Sequence, residues 1–297
     1  MWYHNIIRQN LTFNIKNFKI ALAVSGGKDS MGMVYALKDI PGIVALTVDH
    51  QLRKESAKEA FQVGQWMQDL NIPHVILTWE HPDIETDIQN KARKARYNLM
   101  TQWCLDNNVT TLMTAHHKED QIETFFMRLA KGSGLKGLCV MQPCVDYNGV
   151  NIIRPFLTVS KKNLHTYIEN NRWIDDPSNE NLNFERVKFR PWVEGYLKLD
   201  PAGHILKTID KLKEVDEYVD QQVEHIVFDK TKIPLMLEYV IFERIINKLF
   251  SQNGYPFKRK KTHHLYETLH KPNFKATTFG RCVFKRRGEG VEIMDEN

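Results

Sequence analysis

"IALAVSGGKDSMGMVYAL", residues 20–37, decides how the rest of the chain is read. An apolar run stops at Ser25, Gly26, Gly27, Lys28, Asp29 and Ser30, and helical spacing follows at once. A strand that ends in two glycines and opens a helix leaves backbone N–H groups around a tight turn, and these attract phosphate. Two common nucleotide loops do not fit. Leu22 stands where a Walker A loop needs its first glycine, and Asp29 follows the lysine. The Gly-x-G-x-x-Gly dinucleotide pattern fails as well. An ordinary Gly-Gly turn is the plainer alternative.

Working outward, apolar runs alternate with helical patterns. "KIALAV" (19–24), "GIVALTVDH" (42–50), "HVILTW" (74–79) and "VTTLMTAHH" (109–117) read as strands. Helices are expected from the loop to about Asp39, and over 55–71, 87–108 and 119–132. Strands separated by helices of this length give a parallel sheet with helices on both faces. Ligands of such sheets bind at the carboxyl ends of the strands. The polar ends "SGGKDS", "TVDH" and "TAHHKEDQ" should therefore face one crevice. Past about Leu199 the texture changes. Helices are expected over 206–228 and 234–254, and a short β-hairpin in "ATTFGRCVFKRRGEGVEIMDEN". The boundary falls near 198–204, giving a catalytic domain over 1–200 and a mainly helical C-terminal domain over 201–297.

The composition fits a soluble globular protein: 42% of the 297 residues are hydrophobic and 26% charged. No apolar run approaches a membrane span, and the N-terminus lacks the pattern of a signal peptide. The four cysteines form no C-x-x-C pair, which favours buried thiols in a reducing, cytoplasmic setting.

The hexapeptide resembles S-G-G-x-D-S, the loop of the N-type ATP pyrophosphatases. Other strand ends narrow the resemblance. "VDHQLRKES" (48–56), "KARKARY" (91–97), "TAHHKEDQIET" (114–124), "AKGSGLKGL" (130–138), "IRPFL" (153–157) and "WIDDPSNENLNFERVKFR" (173–190) occur in that order. Together they resemble the tRNA(Ile)-lysidine synthetase family over about residues 19–200. Two departures stand out. Glu119 replaces the first aspartate of D-D-Q, lengthening the arm, and Lys131 replaces an arginine, losing a planar fork.

The resemblance implies an α/β PP-loop ATPase fold, Rossmann-like, of the adenine nucleotide alpha hydrolase type. It implies that ATP adenylates carbon 2's oxygen on the wobble cytidine of a CAU-anticodon tRNA(Ile). The ε-amine of free lysine then displaces AMP. Ser25, Gly26, Gly27, Lys28 and Ser30 would hold phosphate, and Asp29 would lie near Mg²⁺. Asp120 and Glu123 share a helix face and would bind the lysine ammonium, with Arg186 or Arg190 helping. Both acids could instead simply favour the positive end of their helix.

His116 and His117 end a strand at the crevice, where His116 is assigned to ATP; usual zinc spacing is lacking. Asp49 and His50 read either as ATP neighbours or as a plain strand-end turn. Arg93 and Arg96 read as phosphate or tRNA contacts, or as a solvated face, and Lys131 joins them as a tRNA contact. Asp176, Pro177, Ser178 and Asn179 read as family motif or as a helix-capping turn.

From Phe257 to Arg287 there are ten cations, beginning with Lys258, Arg259, Lys260 and Lys261, against the single acid Glu267. Phe257, Tyr266, Phe274, Phe279 and Phe284 are interleaved. Such a stretch suits RNA backbone and loop contacts, or is a solvated face over a small aromatic core. The chain resembles the family's short forms, with one C-terminal domain. A homodimer is left open. Two rivals remain: a PP-loop tRNA thiolation enzyme, for which only Cys139 and Cys144 stand near each other, and an ATP-binding regulator without chemistry.

Overall fold

The computed structural model describes residues 20–82, 86–168, 172–175, 185–200, 203–226, 232–251 and 259–296. Contacts divide the chain into two compact units, Met1–Lys207 and Thr208–Asn297.

In the first unit, β1 (Ile20–Ala23), β2 (Ile43–Asp49), β3 (His74–Thr78), β4 (Thr111–Met113), β5 (Cys144–Tyr147) and β6 (Val150–Ile153) form one sheet in the order β3-β2-β1-β4-β6-β5. Every neighbouring pair is parallel except β5, which runs antiparallel to β6 at the edge. The helices are α1 (Lys28–Leu37), α2 (Ser56–Asp69), α3 (Ile88–Asp106), α4 (Lys118–Ala130), α5 (Leu135–Leu138), α6 (Lys161–His165) and α7 (Glu185–Leu199). The two-residue period of the strands assigns the faces. Ile20, Leu22 and Val24 pack with Met31 and Val34 of α1, Val63 and Met67 of α2 and Leu164 of α6. Ala21 and Leu46 turn the other way, onto Tyr97, Met100 and Cys104 of α3. The expected parallel sheet is present. Its β5–β6 hairpin was not anticipated, although Asn148 and Gly149 at the turn have φ of 55° and 84°. Positive φ at both central residues is what a two-residue hairpin of this hand demands.

The second unit holds most of α8 (His204–Ile226), followed by α9 (Tyr239–Ser251) and α10 (Arg259–Leu269). Strands β7 (Lys232–Pro234), β8 (Ala276–Phe279), β9 (Cys282–Arg287) and β10 (Gly290–Asp295) form an antiparallel sheet in the order β7-β10-β9-β8. The anticipated hairpin is β9–β10; β8 and β7 extend it to four strands. The helix expected from Pro234 begins only at Tyr239, because Lys232, Ile233 and Pro234 pair with β10. Phe242, Ile246, Phe250, Leu265 and Phe284 form the core. Buried Arg244 meets Asp216 and Asp220, so α9 is tied to α8 by a paired charge. Among the described residues no helix is long and apolar enough to cross a membrane.

Candidate active site at the carboxyl edge of the sheet

The loop between β1 and α1 is built from its own side chains. Ser30 Oγ donates to the Gly27 carbonyl at 2.8 Å and accepts from the Ser25 amide at 3.2 Å. Ser25 Oγ lies 3.3 Å from Ser30 Oγ and accepts from the Gly27 amide at 3.4 Å. Gly26 has φ +81°, and a Cβ there would lie 2.7 Å from Val63 Cγ2 and 2.8 Å from Ile174 Cδ1. The Ile174 amide donates to the Gly26 carbonyl at 2.9 Å. Lys28 sits over the Trp173 ring, 4.4 Å from its centroid. The segment around Trp173 thus clasps the loop from outside.

Asp29, on the first turn of α1, meets two histidines. His165 Nε2 donates to its Oδ1 at 2.7 Å, and His117 Nε2 lies 3.6 Å away. His117 is buried, with Glu119 Oε2 at 3.1 Å from Nδ1 and Asp120 Oδ2 at 3.5 Å from Nε2. Burial by itself would lower its pKa. The three carboxylates around it, Asp29, Glu119 and Asp120, override burial and raise it to about 9. His117 is therefore an imidazolium at neutral pH, caged by three carboxylates. Burial likewise works against ionising Asp29, but His117, Lys161 and His165 hold its carboxyl well below the usual range.

Glu119 accepts from the Lys161 amide at 2.8 Å, so its longer arm reaches the first residue of α6. Asp120 accepts from its neighbour's amide, His117 N, at 2.9 Å and caps α4. Glu123 is buried one turn on, with Arg190 Nε of α7 at 3.8 Å. Gln121 between them pairs both ways with the Met141 backbone, at 3.1 and 3.0 Å.

The other anticipated residues are placed as follows. His116 Nδ1 lies 2.8 Å from Thr114 Oγ1, so of the adjacent histidines it is His117 that meets Asp29. Asp49 is buried and accepts from Gln51 N and Ser56 Oγ at 2.9 and 2.6 Å, which ties the end of β2 to the start of α2. The strand-end role accounts for those contacts. Burial, Arg96 and His81 push His50 down to about 4 against the opposing charge of Asp49. Arg93 and Arg96 lie over the Tyr97 ring at 5.1 and 5.5 Å. Lys131 is exposed just past α4. The side chains of Arg186 and Arg259 and all of Lys258, Asp176, Pro177, Ser178 and Asn179 lie outside the described residues. Lys260 and Lys261 are exposed on α10. Of the two readings of the aromatic residues, the core one fits the described rings: Phe274 and Phe284 are buried, and Tyr266 and Phe279 pack on the same core. Phe274 and Phe284 cannot serve as stacking platforms, because the small unit needs them for its interior.

Sequence reading missed His165. It lies 136 residues from Asp29, and nothing near it in the chain carries a motif. The W-I-D of the last motif did hold a signal, since Trp173 and Ile174 are the residues that clasp the loop.

The donor set suits Mg²⁺, which binds through one or two carboxylates plus phosphate oxygens. Asp29 is ionised and its side chain is 40% exposed. Among the described residues no group of three or more His, Cys, Asp and Glu side chains is placed to hold a metal by itself.

A family model described as a PP-loop domain matches residues 3–194. The chain is 40% identical over 187 residues to a tRNA(Ile)-lysidine synthase of a Wolbachia from Brugia malayi, covering 60% of this chain and 43% of that protein. It is 35% identical over 236 residues to a tRNA(Ile)-lysidine synthase of Zymomonas mobilis, covering 73% and 71%. The chain thus spans less than half the length of the first relative and over two thirds of the second. A U34-tRNA thiolase from Methanococcus maripaludis, solved with its [4Fe-4S] cluster, shares the fold with a TM-score of 0.60 at 15% identity, covering 73% of this chain and 78% of that one.

Proposed function

Since the chain belongs to the PP-loop family and matches its tRNA(Ile)-lysidine synthases, we propose that it ligates free lysine to the wobble cytidine of a CAU-anticodon tRNA(Ile). The observation that carries this reading is the loop–carboxylate constellation. A phosphate cradle at Ser25–Ser30 lies beside Asp29, and His117 links Asp29 to Asp120, one turn before Glu123.

The loop amides, Ser25 and Ser30 hold the phosphates of ATP. The imidazolium of His117 adds positive charge behind them. Asp29 would hold Mg²⁺, which would supply positive charge to offset that on the departing pyrophosphate. The cytidine oxygen attacks the α-phosphorus, and the bond to the β-phosphate oxygen breaks. Asp120 and Glu123 then bind the lysine ammonium, one of them takes its proton, and the amine displaces AMP at carbon 2. Arg190 beside Glu123 keeps that carboxylate in place.

The test is incubation with ATP, labelled lysine and candidate tRNAs, followed by mapping of the label. Label at the anticodon of one tRNA supports the reading. No transfer to any tRNA, with pyrophosphate still released, removes it. Glu123→Gln should raise the KM for lysine at least tenfold and leave the KM for ATP within twofold. The cost of losing one charge-assisted contact is about 1.5–3 kcal/mol. An unchanged lysine KM takes Glu123 out of the pocket. The thiolation reading would need a cysteine set at the loop. Cys104 and Cys139 are buried, and Cys144 stands exposed on β5.

The second unit is the proposed tRNA-binding domain. Lys260, Lys261, Lys271, Lys275, Arg281, Lys285, Arg286 and Arg287 are all exposed. Neutralising Lys258, Arg259, Lys260 and Lys261 together should weaken tRNA binding and lower the slope of log affinity against log salt by roughly two to four. ATP affinity should stay as it was. Equal slopes in both proteins would mean a solvated face.

A further inference from the structure

The α3 side of the sheet edge carries a cluster that the loop chemistry does not use. Arg93 and Arg96 lie over the Tyr97 ring. Arg154, the first residue after β6, brings its guanidinium to the same tyrosine and within electrostatic reach of Arg93. Its Nη1 donates to the Gln142 carbonyl at 2.7 Å, which fixes the side chain. His50, the first residue after β2, lies within electrostatic reach of Arg96. Because β2 and β6 run parallel to β1, all of these groups stand at the carboxyl edge, where the loop also stands.

Three facts mark the cluster as built for an anion. First, an arginine keeps its charge in a protein, so gathered guanidiniums repel until something negative arrives. Among the described residues no carboxylate pairs with Arg93, Arg96 or Arg154; the acid nearest His50, Asp49, is engaged by Gln51 and Ser56. Second, Arg154 Nε and the Tyr97 hydroxyl are buried close to each other, yet neither makes a hydrogen bond of ordinary geometry among the described residues. Native interiors satisfy such atoms almost without exception, so two side by side point to a missing partner. Third, Arg96 and Arg154 are only partly buried, so a ligand can reach them. Burial and a neighbouring guanidinium hold both below the usual arginine range.

We propose that Arg154, together with Arg96 and Arg93 around Tyr97, forms a second anion site that grips a phosphoryl group, apart from the Ser25–Ser30 loop. Phosphoryl oxygens suit two guanidinium forks better than a carboxylate does, because they offer acceptors in three directions. The tyrosine hydroxyl completes the cradle. The loop opens α1 on one face of the sheet, whereas the arginines stand with α3 on the other. That placement favours a polynucleotide phosphate over the phosphates already held by the loop. The anion chemistry stands on the geometry; the choice of tRNA as its source rests on the function proposed above.

The test uses the full chain with Arg154→Ala, Arg154→Lys and Tyr97→Phe. Affinities for tRNA over a salt series and for ATP are measured by direct binding, without lysine. Arg154→Ala should lose about tenfold in tRNA affinity and lower the salt slope by about one, with ATP affinity unchanged. Arg154→Lys should keep the slope and lose less affinity. Tyr97→Phe should lose affinity at an unchanged slope. A loss in ATP affinity instead would assign the same site to a nucleotide phosphate. Melting temperature separates this from a merely structural arginine: relief of repulsion should leave Arg154→Ala as stable as wild type. Unchanged affinity for both ligands overturns the site, and so does a fall in stability for Arg154→Ala with Arg154→Lys binding at wild-type strength. If no tRNA is ever lysinylated yet Arg154→Ala still loses phosphate-dependent affinity, the function fails and the site stands. If lysine transfer is found and Arg154→Ala binds both ligands normally, the site fails and the function stands.

Discussion

Asp29→Asn should leave the fold in place and slow tRNA-dependent pyrophosphate release by about 10²–10³-fold, the usual effect of removing one group that stabilises charge at the reacting centre. The carboxamide oxygen can still accept from His165 Nε2, now 2.7 Å from Oδ1, so the shape of the network survives. What goes is the charge. His117 retains Glu119 and Asp120, which keeps it protonated and keeps α4 capped. The measurement is pyrophosphate release with and without tRNA, alongside the melting temperature. Release within a few fold of wild type at normal stability would show that Asp29 only orients histidines.

Gly26→Ala should be the most damaging small substitution in the loop. Two costs add. A non-glycine residue at φ +81° pays about 1–3 kcal/mol for its backbone. The new methyl, 2.7 Å from Val63 Cγ2 and 2.8 Å from Ile174 Cδ1, adds overpacking of about 1–3 kcal/mol. The protein can absorb this only by opening the loop, and then ATP affinity falls. Unfolding by denaturant and ATP binding are the readouts. Adding Val63→Ala should restore part of the stability by removing the clash with Val63, but neither the one with Ile174 nor the backbone cost. Wild-type stability for Gly26→Ala alone would mean that the loop takes up a different path.

The elements that place the phosphate loop were legible because each is local. A buried strand, a glycine turn and a helix announce themselves within the eighteen residues from Ile20 to Leu37. The β5–β6 hairpin carried an Asn-Gly signal, but β5 is a mostly exposed edge strand with no apolar alternation to reveal it. Strand β7 is three residues long and exists only because β10 pairs with it. The site divides in the same way. Asp29, Asp120 and Glu123 stand inside recognisable strings, whereas His165 and the cage around His117 depend on contacts across the fold. The aromatic residues of the second unit were read correctly by position and ambiguously by role. Only burial separates a stacking ring from a core ring, and burial is a property of the folded chain.

The clasp of the loop by Trp173 and Ile174 also sets an order of events during synthesis. The glycine loop leaves the ribosome well before the Ile174 amide that donates to its carbonyl, the ring over Lys28 and His165. Closing so long a stretch of chain before any contact rewards it is slow. A nascent chain halted after α4 would hold the sheet's first strands, α1 and the acidic helix, yet its nucleotide loop would lack the outer wall. The loop is therefore walled in only when the segment that follows α6 folds back over residues made long before it.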